Sequence, residues 1–392
     1  EGGLGVDHEV AGLHLCFPPG FVPVYLLYRY TNAMPRGRQG DRARVTLATI
    51  AEELGVSRMT VSNAYNHPDR LTPALRRKVL ATARRLGYSG PDPVAATLSR
   101  GRAGALGLLF DDPLTYAFSD PAAVLFFEGV ASVCETEQVG LVLVPTRFGA
   151  PTETDLARVA LVDGFVAYCD VADDGRLDVV EQRGLPLVIA DGPPRPGASR
   201  VGIDDRAAAA LIAEHVLGLG HRRIAILPLP LSPDGYEGLA DAGRQASLGY
   251  YSTRQRLKGY RDAVEAAGVP WAGVAVEERT PHGRDAGRRA AGALLDRAQR
   301  PTAFIAMSDE IAVGALQAAE ARGIAVPGEL SIVGFDDAPD AAEARPPLTT
   351  IAQPHHEKGA AAARVLLHPE DEPADVVLPT ELVVRASTAP LA

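Results

Sequence analysis

The sequence has little cysteine and no long apolar run. Its three cysteines, Cys16, Cys134 and Cys169, stand far apart and match no metal or redox spacing. Isolated thiols of this kind are typical of a reducing compartment and exclude a disulfide framework. The longest apolar run near the start, FVPVYLLY, is too short to span a bilayer and lacks the basic flank and cleavage site of a secretory signal. We therefore expect a cytoplasmic protein with no membrane partner.

Motifs that indicate catalysis are also missing. The 392 residues contain no glycine-rich phosphate loop, no nucleophile elbow and no cluster of metal ligands. His355, His356 and Trp271 have no partners at metal or catalytic spacing, so we interpret them as structural or surface residues. We therefore expect a protein that is not an enzyme and that needs no cofactor and no metal.

Positive charge is scarce overall but concentrated in one segment. The formal net charge of the chain is −10. Residues 34–102 nevertheless carry 13 Lys and Arg against 5 Asp and Glu, a balance of +8, whereas residues 1–33 carry −2 and residues 103–392 the remaining −16. A basic patch on a minor part of a chain is the usual footprint of binding to the nucleic-acid backbone.

The first residues fit no regular element. Residues 1–33 mix Gly, Pro and apolar residues without helical or strand periodicity, and the sequence from Met34 onward looks like a natural start of the protein. We expect residues 1–40 to be a leader or upstream sequence without function.

The stretch LATIAEELGVSRMTVSNAYNH predicts two short helices separated by Gly55, over residues 46–54 and 57–64. A third helix follows, with Thr72 as its cap and Pro73 at its first position. The first two helices have the caps Thr46 and Ser57 and the inward side chains Leu47, Ile50, Ala51, Leu54, Thr60, Val61 and Ala64. This arrangement predicts a helix-turn-helix whose second helix enters the DNA major groove. A plain three-helix bundle with solvated charges is the alternative.

Beyond residue 104, short apolar runs alternate with helical stretches. The runs are ALGLLF, GLVLVP, GFVAYC, LPLVIAD, RIAILPLP, AFIAMSD and LSIVGFDD. Such runs joined by helices are typical of a parallel, doubly wound sheet, and there are enough of them for two α/β subdomains. Three of them end in polar side chains, at Asp191, Ser308 and Asp336. Because ligands of open α/β sheets bind beyond the carboxyl ends of the strands, we expect one cleft surrounded by carboxylates.

Long motifs of the chain resemble the LacI/GalR family of bacterial transcription repressors. They are VTLATIAEELGVSRMTVSNAYN, LTPALRRKVLATARRLGY, VAATLSRGRAGALGLLF, LGHRRIAIL, RLKGYRDAVEAAG, VPGELSIVGFDDAPDAAEARPPLTTIAQP and LPTELVVRAS. The resemblance implies a DNA-binding domain over residues 44–90, a hinge helix and linker over 91–103, and an effector-binding and dimerisation domain, similar to periplasmic binding proteins, over 104–392. It also implies a homodimer that binds double-stranded operator DNA and responds to a small molecule, a sugar or nucleoside.

The resemblance assigns DNA contacts by position. Arg58 and Met59 would touch base edges, with Asn63 one turn later, because Arg pairs bidentately with guanine and Met offers apolar contact to a thymine methyl. Ser57, Thr60, Ser62 and Asn66 would hold phosphates. In the hinge segment PVAATLSRG, Leu98 would wedge between base pairs in the minor groove. Thr46 in the head and Ala95 in the hinge complete the expected contacts.

The resemblance also assigns effector contacts to Asp191, Arg256, Ser308 and Asp336. Carboxylates and a guanidinium suit this role because they divide the donors and acceptors of a polyol among them. Ile203 and His282 occupy positions where an aromatic often packs, and Tyr116, Phe118 and Asp120 follow the first strand, where a cleft wall would lie. We expect the remaining carboxylates nearby to be helix caps or supporting groups: Asp204, Asp205, Asp309 and Asp337.

A long Gly-, Ser- and Asp-rich connection over residues 231–255 leads to Arg256. Such a loop is either functional or disordered, so it either caps the cleft or is a floppy insertion. The expected function is a transcriptional repressor. The alternatives are an activator with the same parts and a solute-binding protein of a transporter, against which the basic helix-turn-helix argues.

Overall fold

The structure is a computed structural model that describes residues 45–88, 90, 101–110, 115, 118–145, 156–168 and 177–391. The chain divides into two compact units, Glu1–Asp92 and Pro93–Ala392. The leader expected over residues 1–40, Tyr116, and the hinge residues Ala95 and Leu98 lie outside the described residues. None of the helices in the described ranges is both long enough and apolar enough to cross a membrane.

The smaller unit contains three helices whose ends are set by side-chain caps. They are α1 (Leu47–Leu54), α2 (Arg58–Asn66) and α3 (Pro73–Arg85). Each begins after a Ser or Thr whose side chain accepts a hydrogen bond from a backbone N–H of the first turn. Gly55 ends α1 with φ 65°, a left-handed conformation that glycine adopts without strain. The three predicted helices are confirmed, and they enclose a core of Ile50, Ala51, Val61, Ala64, Val79 and Ala83.

The larger unit has two main sheets, which define two lobes. Lobe 1 holds the six-stranded sheet with the order β12-β5-β4-β3-β1-β2, whose strands all run parallel. Lobe 2 holds the five-stranded sheet with the order β10-β9-β6-β8-β7, in which β7 is antiparallel. The strands are β1 (Ala105–Phe110), β2 (Gly140–Pro145), β3 (Phe165–Tyr168), β4 (Leu187–Ala190), β5 (Ser199–Ile203), β6 (Ile224–Leu227), β7 (Gly238–Leu239), β8 (Ala275–Glu278), β9 (Ala303–Ala306), β10 (Ser331–Val333), β11 (Thr350–Ala352), β12 (Asp375–Leu378) and β13 (Glu381–Val383).

Helices cover the two sheets, as the apolar runs require. They are α4 (Pro121–Glu137), α5 (Asp178–Gln182), α6 (Asp205–Gly218), α7 (Ala242–Ala246), α8 (Tyr251–Ala266), α9 (Arg284–Leu295), α10 (Asp309–Glu320), α11 (Pro339–Glu343) and α12 (His355–Leu367). The predicted mixed α/β fold with parallel sheets is therefore confirmed. All seven predicted strands are present, whereas the sequence patterns missed β5, β7, β8, β11, β12 and β13.

The chain passes between the two lobes three times. The passages follow β5, at residue 204, β11, at residues 353–354, and β12, at residues 379–380. The short antiparallel pair β11 and β13 lies at the second and third passages. Residues at these passages are therefore placed to contact both lobes.

Glycines bring three pairs of helices into backbone contact. A Cβ on Gly129 of α4 would lie 1.9 Å from the carbonyl oxygen of His356, at the start of α12. Gly259 on α8 faces α6 in the same way, and Gly287 on α9 and Gly314 on α10 face each other's helices. Larger residues at these positions would push the helices apart.

Candidate functional site: an exposed recognition helix and an interlobe cavity

The outer face of the smaller unit carries the side chains predicted to contact DNA. Arg58 and Met59 open α2, and both side chains are exposed, Met59 by 68%. Ser57 caps α2 by accepting from Thr60 N at 3.0 Å, and its hydroxyl lies 2.8 Å from that of Thr60. The structure thus leaves the start of α2 open to a partner.

The remaining predicted DNA contacts of the head follow the same helix or cap the preceding one. Asn66 Nδ2 donates to Ser62 Oγ at 3.3 Å, so these two side chains share one face of α2. Asn63 is partly exposed on this helix. Thr46 forms a reciprocal capping box with Thr49 at the start of α1.

A cavity of about 350 Å³ lies between the two lobes of the larger unit. Its described lining is rich in polar side chains from the carboxyl ends of strands in both sheets. Of the predicted effector contacts, it includes Asp120, Asp191, Arg256, His282, Ser308 and Asp336. This location agrees with the rule that open α/β sheets bind ligands beyond their strand ends.

Two predicted contacts lie elsewhere. Ile203 is buried in the hydrophobic core of lobe 2 and is not part of the cavity lining, because its strand ends with that side chain packed inward. Phe118 is 71% exposed and is also not part of the lining.

Two carboxylates of the lining are held by a chain of polar contacts. Lys358 Nζ donates to Asp191 Oδ2 at 2.7 Å and to Gln353 Oε1 at 2.9 Å, and Gln353 Nε2 donates to Asp336 Oδ1 at 2.7 Å. Lys358 is fully buried, so this ion pair lies away from solvent screening. Because Gln353 lies at the second passage, the chain of contacts joins a residue of lobe 1 to one of lobe 2.

The backbone at these carboxylates is strained. Asp191 has φ 56° and Asp336 has φ 132°, conformations that non-glycine residues rarely adopt. Such residues cost of order 1–3 kcal/mol each and cluster at binding and active sites. The strain is consistent with a site in which the direction of each side chain matters more than local stability.

Arg256 lies at the centre of the polar lining. Its Nε donates to Asp205 Oδ1 at 2.8 Å, its Nη1 donates to the carbonyl oxygen of Met307 at 2.7 Å, and its guanidinium carbon lies 3.9 Å from the ring centroid of Phe335. Burial alone would lower its pKa, but the carboxylates of Asp205 and Asp336 more than offset that and hold the pKa above its ordinary value. Arg256 is therefore a permanently charged, rigidly held donor.

Two further groups have pKa values displaced by burial. Burial raises the pKa of Asp336 to about 7, against the opposing charge of Arg256. Burial, and then the charge of Lys358, lower the pKa of His355 to about 3. The imidazole of His355 is thus neutral, and its Nε2 lies 3.6 Å from Asp336 Oδ1, too far for a hydrogen bond.

Several lining residues were not predicted. Both ring nitrogens of His355 and Oδ1 of Asp191 are buried without a hydrogen-bond partner in the described parts of the chain. Buried polar groups normally have partners, so these atoms mark places where a ligand's hydroxyls would be satisfied. His355, interpreted from sequence as structural or surface, therefore belongs to the site. Gln353 and Tyr168 also line the cavity.

The carboxylates expected to be supporting groups have that role in the structure. Asp204 caps α6 by accepting from Ala207 N at 3.0 Å, and Asp205 pairs with Arg256. Asp337 accepts from Arg385 Nη2 at 2.6 Å. Asp309, which accepts from Thr350 Oγ1 at 2.7 Å and from Ala338 N at 2.9 Å, does not line the cavity either.

These features define a class of protein: a two-lobed α/β small-molecule-binding body that follows a helix-turn-helix head. The profile of the lacI family of bacterial regulatory proteins matches residues 46–90, and that of the periplasmic binding protein-like domain matches residues 213–388. A helix-turn-helix (HTH)-type transcriptional regulator of Mycobacterium tuberculosis is 47% identical, over 89% of this chain and 98% of that protein. The HTH-type transcriptional regulator IpsA of Corynebacterium glutamicum is 38% identical, over 88% and 98%. The chain therefore belongs to the LacI family and is a DNA-binding transcriptional regulator.

Solved structures show the same likeness. The lac repressor dimer bound to operator and an anti-inducer superposes with a TM-score of 0.72 at 25% identity, over 88% of this chain and 100% of that one. The complex of the transcriptional regulator CelR with cellobiose gives a TM-score of 0.63 at 29% identity, over 88% and 100%. A LacI-family regulator from Enterococcus faecium with bound ribose gives 0.61 at 26% identity, over 74% and 100%.

Proposed function

We propose that this protein is a homodimeric repressor whose affinity for operator DNA is controlled by a neutral, hydroxyl-rich molecule bound in the interlobe cavity. The observation that carries the proposal is the cavity, lined by Asp191, Asp336 and Arg256 and by the neutral imidazole of His355. The bound sugars of two structural neighbours belong to the same chemical class. Because its partner is chromosomal DNA, the protein would act in the cytoplasm.

In this proposal α2 reads the operator. Arg58 and Met59 contact base edges from the first turn of the helix, with Asn63 one turn later. The hydroxyl and amide side chains on the same helix and at its cap hold phosphates and fix the register. The hinge residues Ala95 and Leu98 add contacts in the minor groove. A dimer would place two such helices on two half-sites one DNA turn apart.

In the cavity, the residues divide the ligand's hydroxyl groups by chemistry. Asp191 and Asp336 accept hydrogen bonds from the ligand's hydroxyl groups, and Arg256 donates hydrogen bonds to them. The neutral imidazole of His355 donates at one ring nitrogen and accepts at the other. Ser308, Asp120 and His282 also belong to the polar lining. Allostery requires only that the ligand bind one arrangement of the protein better than another.

The proposal is tested with two conservative variants, Asp336→Asn and Arg256→Lys. Asp336→Asn keeps the shape of the side chain but removes its charge, and Arg256→Lys keeps the charge but loses the planar guanidinium that lies against Phe335. Each change weakens a charge-assisted contact, worth about 1.5–3 kcal/mol or about ten- to a hundredfold in effector affinity. The control is Asp337→Asn, because Asp337 is the sequence neighbour of Asp336 but faces Arg385. Ligands come from a thermal-shift screen of sugars, polyols and nucleosides, and the operator from selection of a random duplex pool by the protein.

Operator affinity is measured by fluorescence anisotropy at one salt concentration, with and without ligand. Both cavity variants should bind the operator without ligand within a few-fold of wild type and should need far more ligand to respond, whereas the control should match wild type. A wild-type response in both variants would show that the ligand binds elsewhere. A promoter reporter that is more active with the protein than without it would show an activator.

A further inference from the structure

The connection over residues 231–255, which sequence alone left as either a cap or a floppy insertion, is ordered, and its part before the helix that begins at Tyr251 is a wall of the cavity. Strand β7 pairs with β8, and helix α7 is capped by Asp241, whose Oδ1 accepts from Arg244 N at 2.8 Å. We call residues 231–250 the wall segment. Its inner edge contributes Ser232, Pro233, Gly235 and Tyr250 to the cavity lining.

Arg244 fixes the wall segment from its outer side. Its Nε and Nη2 donate to the two carboxylate oxygens of Glu278 at 2.5 and 2.8 Å, and its Nη1 and Nη2 donate to those of Asp234 at 2.8 and 2.9 Å. The ring of Tyr236 lies 4.0 Å from the guanidinium carbon. Both carboxylate contacts are bidentate, the geometry in which Arg pairs are strongest and most directional.

We call Arg244 and its two carboxylate partners, Glu278 and Asp234, the clasp. Glu278 connects the clasp to the core of lobe 2, and Asp234 connects it to the edge of the cavity. Glu278 ends β8, is fully buried, and also accepts from Leu231 N at 2.8 Å, which fixes the start of the wall segment. Asp234 stands in sequence between Pro233 and Gly235, two residues of the lining. The position of Arg244 therefore sets the position of the inner edge.

A second contact holds the far end of the wall segment. Trp271 Nε1 donates to Gln245 Oε1 at 2.8 Å, and Gln245 Nε2 donates to the carbonyl oxygen of Ala240 at 2.7 Å. Near the cavity, Ser232 Oγ accepts from Gly249 N at 3.1 Å, which ties the two ends of the segment together. The wall is thus preformed, and a ligand does not have to order it on binding.

We propose that the wall segment is the size filter of the effector site: its clasped inner edge limits the ligand to a single sugar-sized ring. This inference rests on the proposed function. A cavity of about 350 Å³ is at the small end of the range for ligand sites, roughly 300–1,000 Å³. A disaccharide has two rings, as does a pyrimidine nucleoside, and a second ring directed at Pro233 and Tyr250 would have to displace them. A displaced Pro233 moves its neighbour Asp234 and so breaks the bidentate contact between Asp234 and Arg244.

The test compares ligand selectivity, which a purely structural role would not change. The variants are Arg244→Met, which removes the bidentate contacts, Arg244→Lys, which keeps the charge, and Tyr250→Ala, which removes a lining side chain while Arg244, Asp234 and Glu278 all remain. The control is Arg322→Met, because Arg322 also forms a fork with a carboxylate, that of Asp296, but does not line the cavity. Calorimetric titration uses glucose, ribose and galactose as single-ring ligands, and cellobiose, maltose and uridine as two-ring ligands.

Wild type should bind one of the single-ring ligands at least tenfold more tightly than any two-ring ligand. Arg244→Met and Tyr250→Ala should each reduce this ratio at least tenfold, Arg244→Lys should reduce it less, and Arg322→Met should leave it unchanged. Limited proteolysis should show new cleavage within the wall segment of Arg244→Met alone. Tyr250→Ala provides the answer by itself should Arg244→Met fail to fold.

Two results would overturn the size filter while leaving the proposed function intact: wild type binding a two-ring ligand as tightly as any single ring, or an unchanged ratio in Tyr250→Ala and in Arg244→Met. Protease resistance of Arg244→Met together with an unchanged ratio would show that Arg244 does not hold the wall. Should wild type bind no sugar or nucleoside at all, the proposed function fails with it.

Discussion

Asp309 provides a sharp test of the electrostatics around the site. Its carboxylate is buried against Thr350 and Ala338, and burial together with the nearby Asp336 raises its pKa to about 8. Because this pKa is raised in the folded state, protonated Asp309 contributes to the free energy of unfolding. That contribution is fully present below the ordinary pKa near 4 and is lost progressively as the pH rises to about 8. Wild type should therefore lose stability over this window, while Asp309→Asn, which has no proton to lose, should be spared that loss.

The size of the effect follows from linkage. Each pH unit between the two pKa values is worth about 1.4 kcal/mol, so the variant's stability relative to wild type should rise by about 3 kcal/mol between about pH 5 and about pH 7.5. In Asp309→Asn the amide NH₂ replaces the oxygen that accepts from Ala338 N. Losing this hydrogen bond costs about 1 kcal/mol or more, but the cost is the same at both pH values and therefore cancels when the two stability differences are compared. The quantity to measure is therefore the change in the stability difference with pH.

Urea unfolding followed by the fluorescence of the single tryptophan, Trp271, provides the two free energies. The control is Asp296→Asn, because the hydrogen bond from Arg322 lowers the pKa of Asp296. A lowered pKa affects stability only below the ordinary value, so this variant should differ from wild type by the same amount at both pH values. Equal differences for Asp309→Asn at the two pH values would refute the reasoning and place its pKa near the ordinary value.

Three further outcomes are expected. Arg58→Ala should weaken operator binding by about 1–3 kcal/mol and relax the preference at one base pair, measured by anisotropy; equal losses on operator and random duplexes would show that Arg58 contacts only the backbone. Effector affinity should rise with pH through about 7, as Asp336 becomes the better acceptor, and calorimetry should find this rise absent in Asp336→Asn. Gly359→Ala places a Cβ 2.0 Å from the carbonyl oxygen of Phe126 and should lower the free energy of unfolding by about 1–3 kcal/mol. Gly218→Ala, which has open space around its Cβ, should be near neutral or stabilising. Equal thermal unfolding midpoints for the two variants would contradict the close contact.

The parts of the fold that could be predicted from sequence are those with a strong local signal. The helix-turn-helix is indicated by the N-cap residues of its helices and by Gly55 between the first two, and the central strands are continuous apolar runs. Strand β8, Ala275–Glu278, was missed because its two buried glutamates make it look like a surface segment. Missing that strand also hid the reason why the wall segment is ordered, since Glu278 is the partner of Arg244.

The parts of the site that could not be predicted depend on contacts between distant residues. Lys358 lies in HHEKGAAAARVLL, where a lysine is normally solvated, yet it is fully buried against Asp191, 167 residues away in sequence. Gln353 and His355 belong to the site because the chain passes between the lobes there, which no local pattern reveals. By contrast, Asp191, Ser308 and Asp336 each follow an apolar strand, so the general rule for open α/β sheets placed them near one cleft.

The glycines at the helix contacts have a consequence for how this scaffold tolerates change. Gly129, Gly259, Gly287, Gly314 and Gly359 hold helices at backbone distance, and none of them lines the cavity. Sliding one helix along its partner would drive a carbonyl oxygen into a neighbouring Cα, so these helix pairs resist repacking. A designer who changes cavity residues to make a biosensor for another molecule should therefore keep these five positions as glycine.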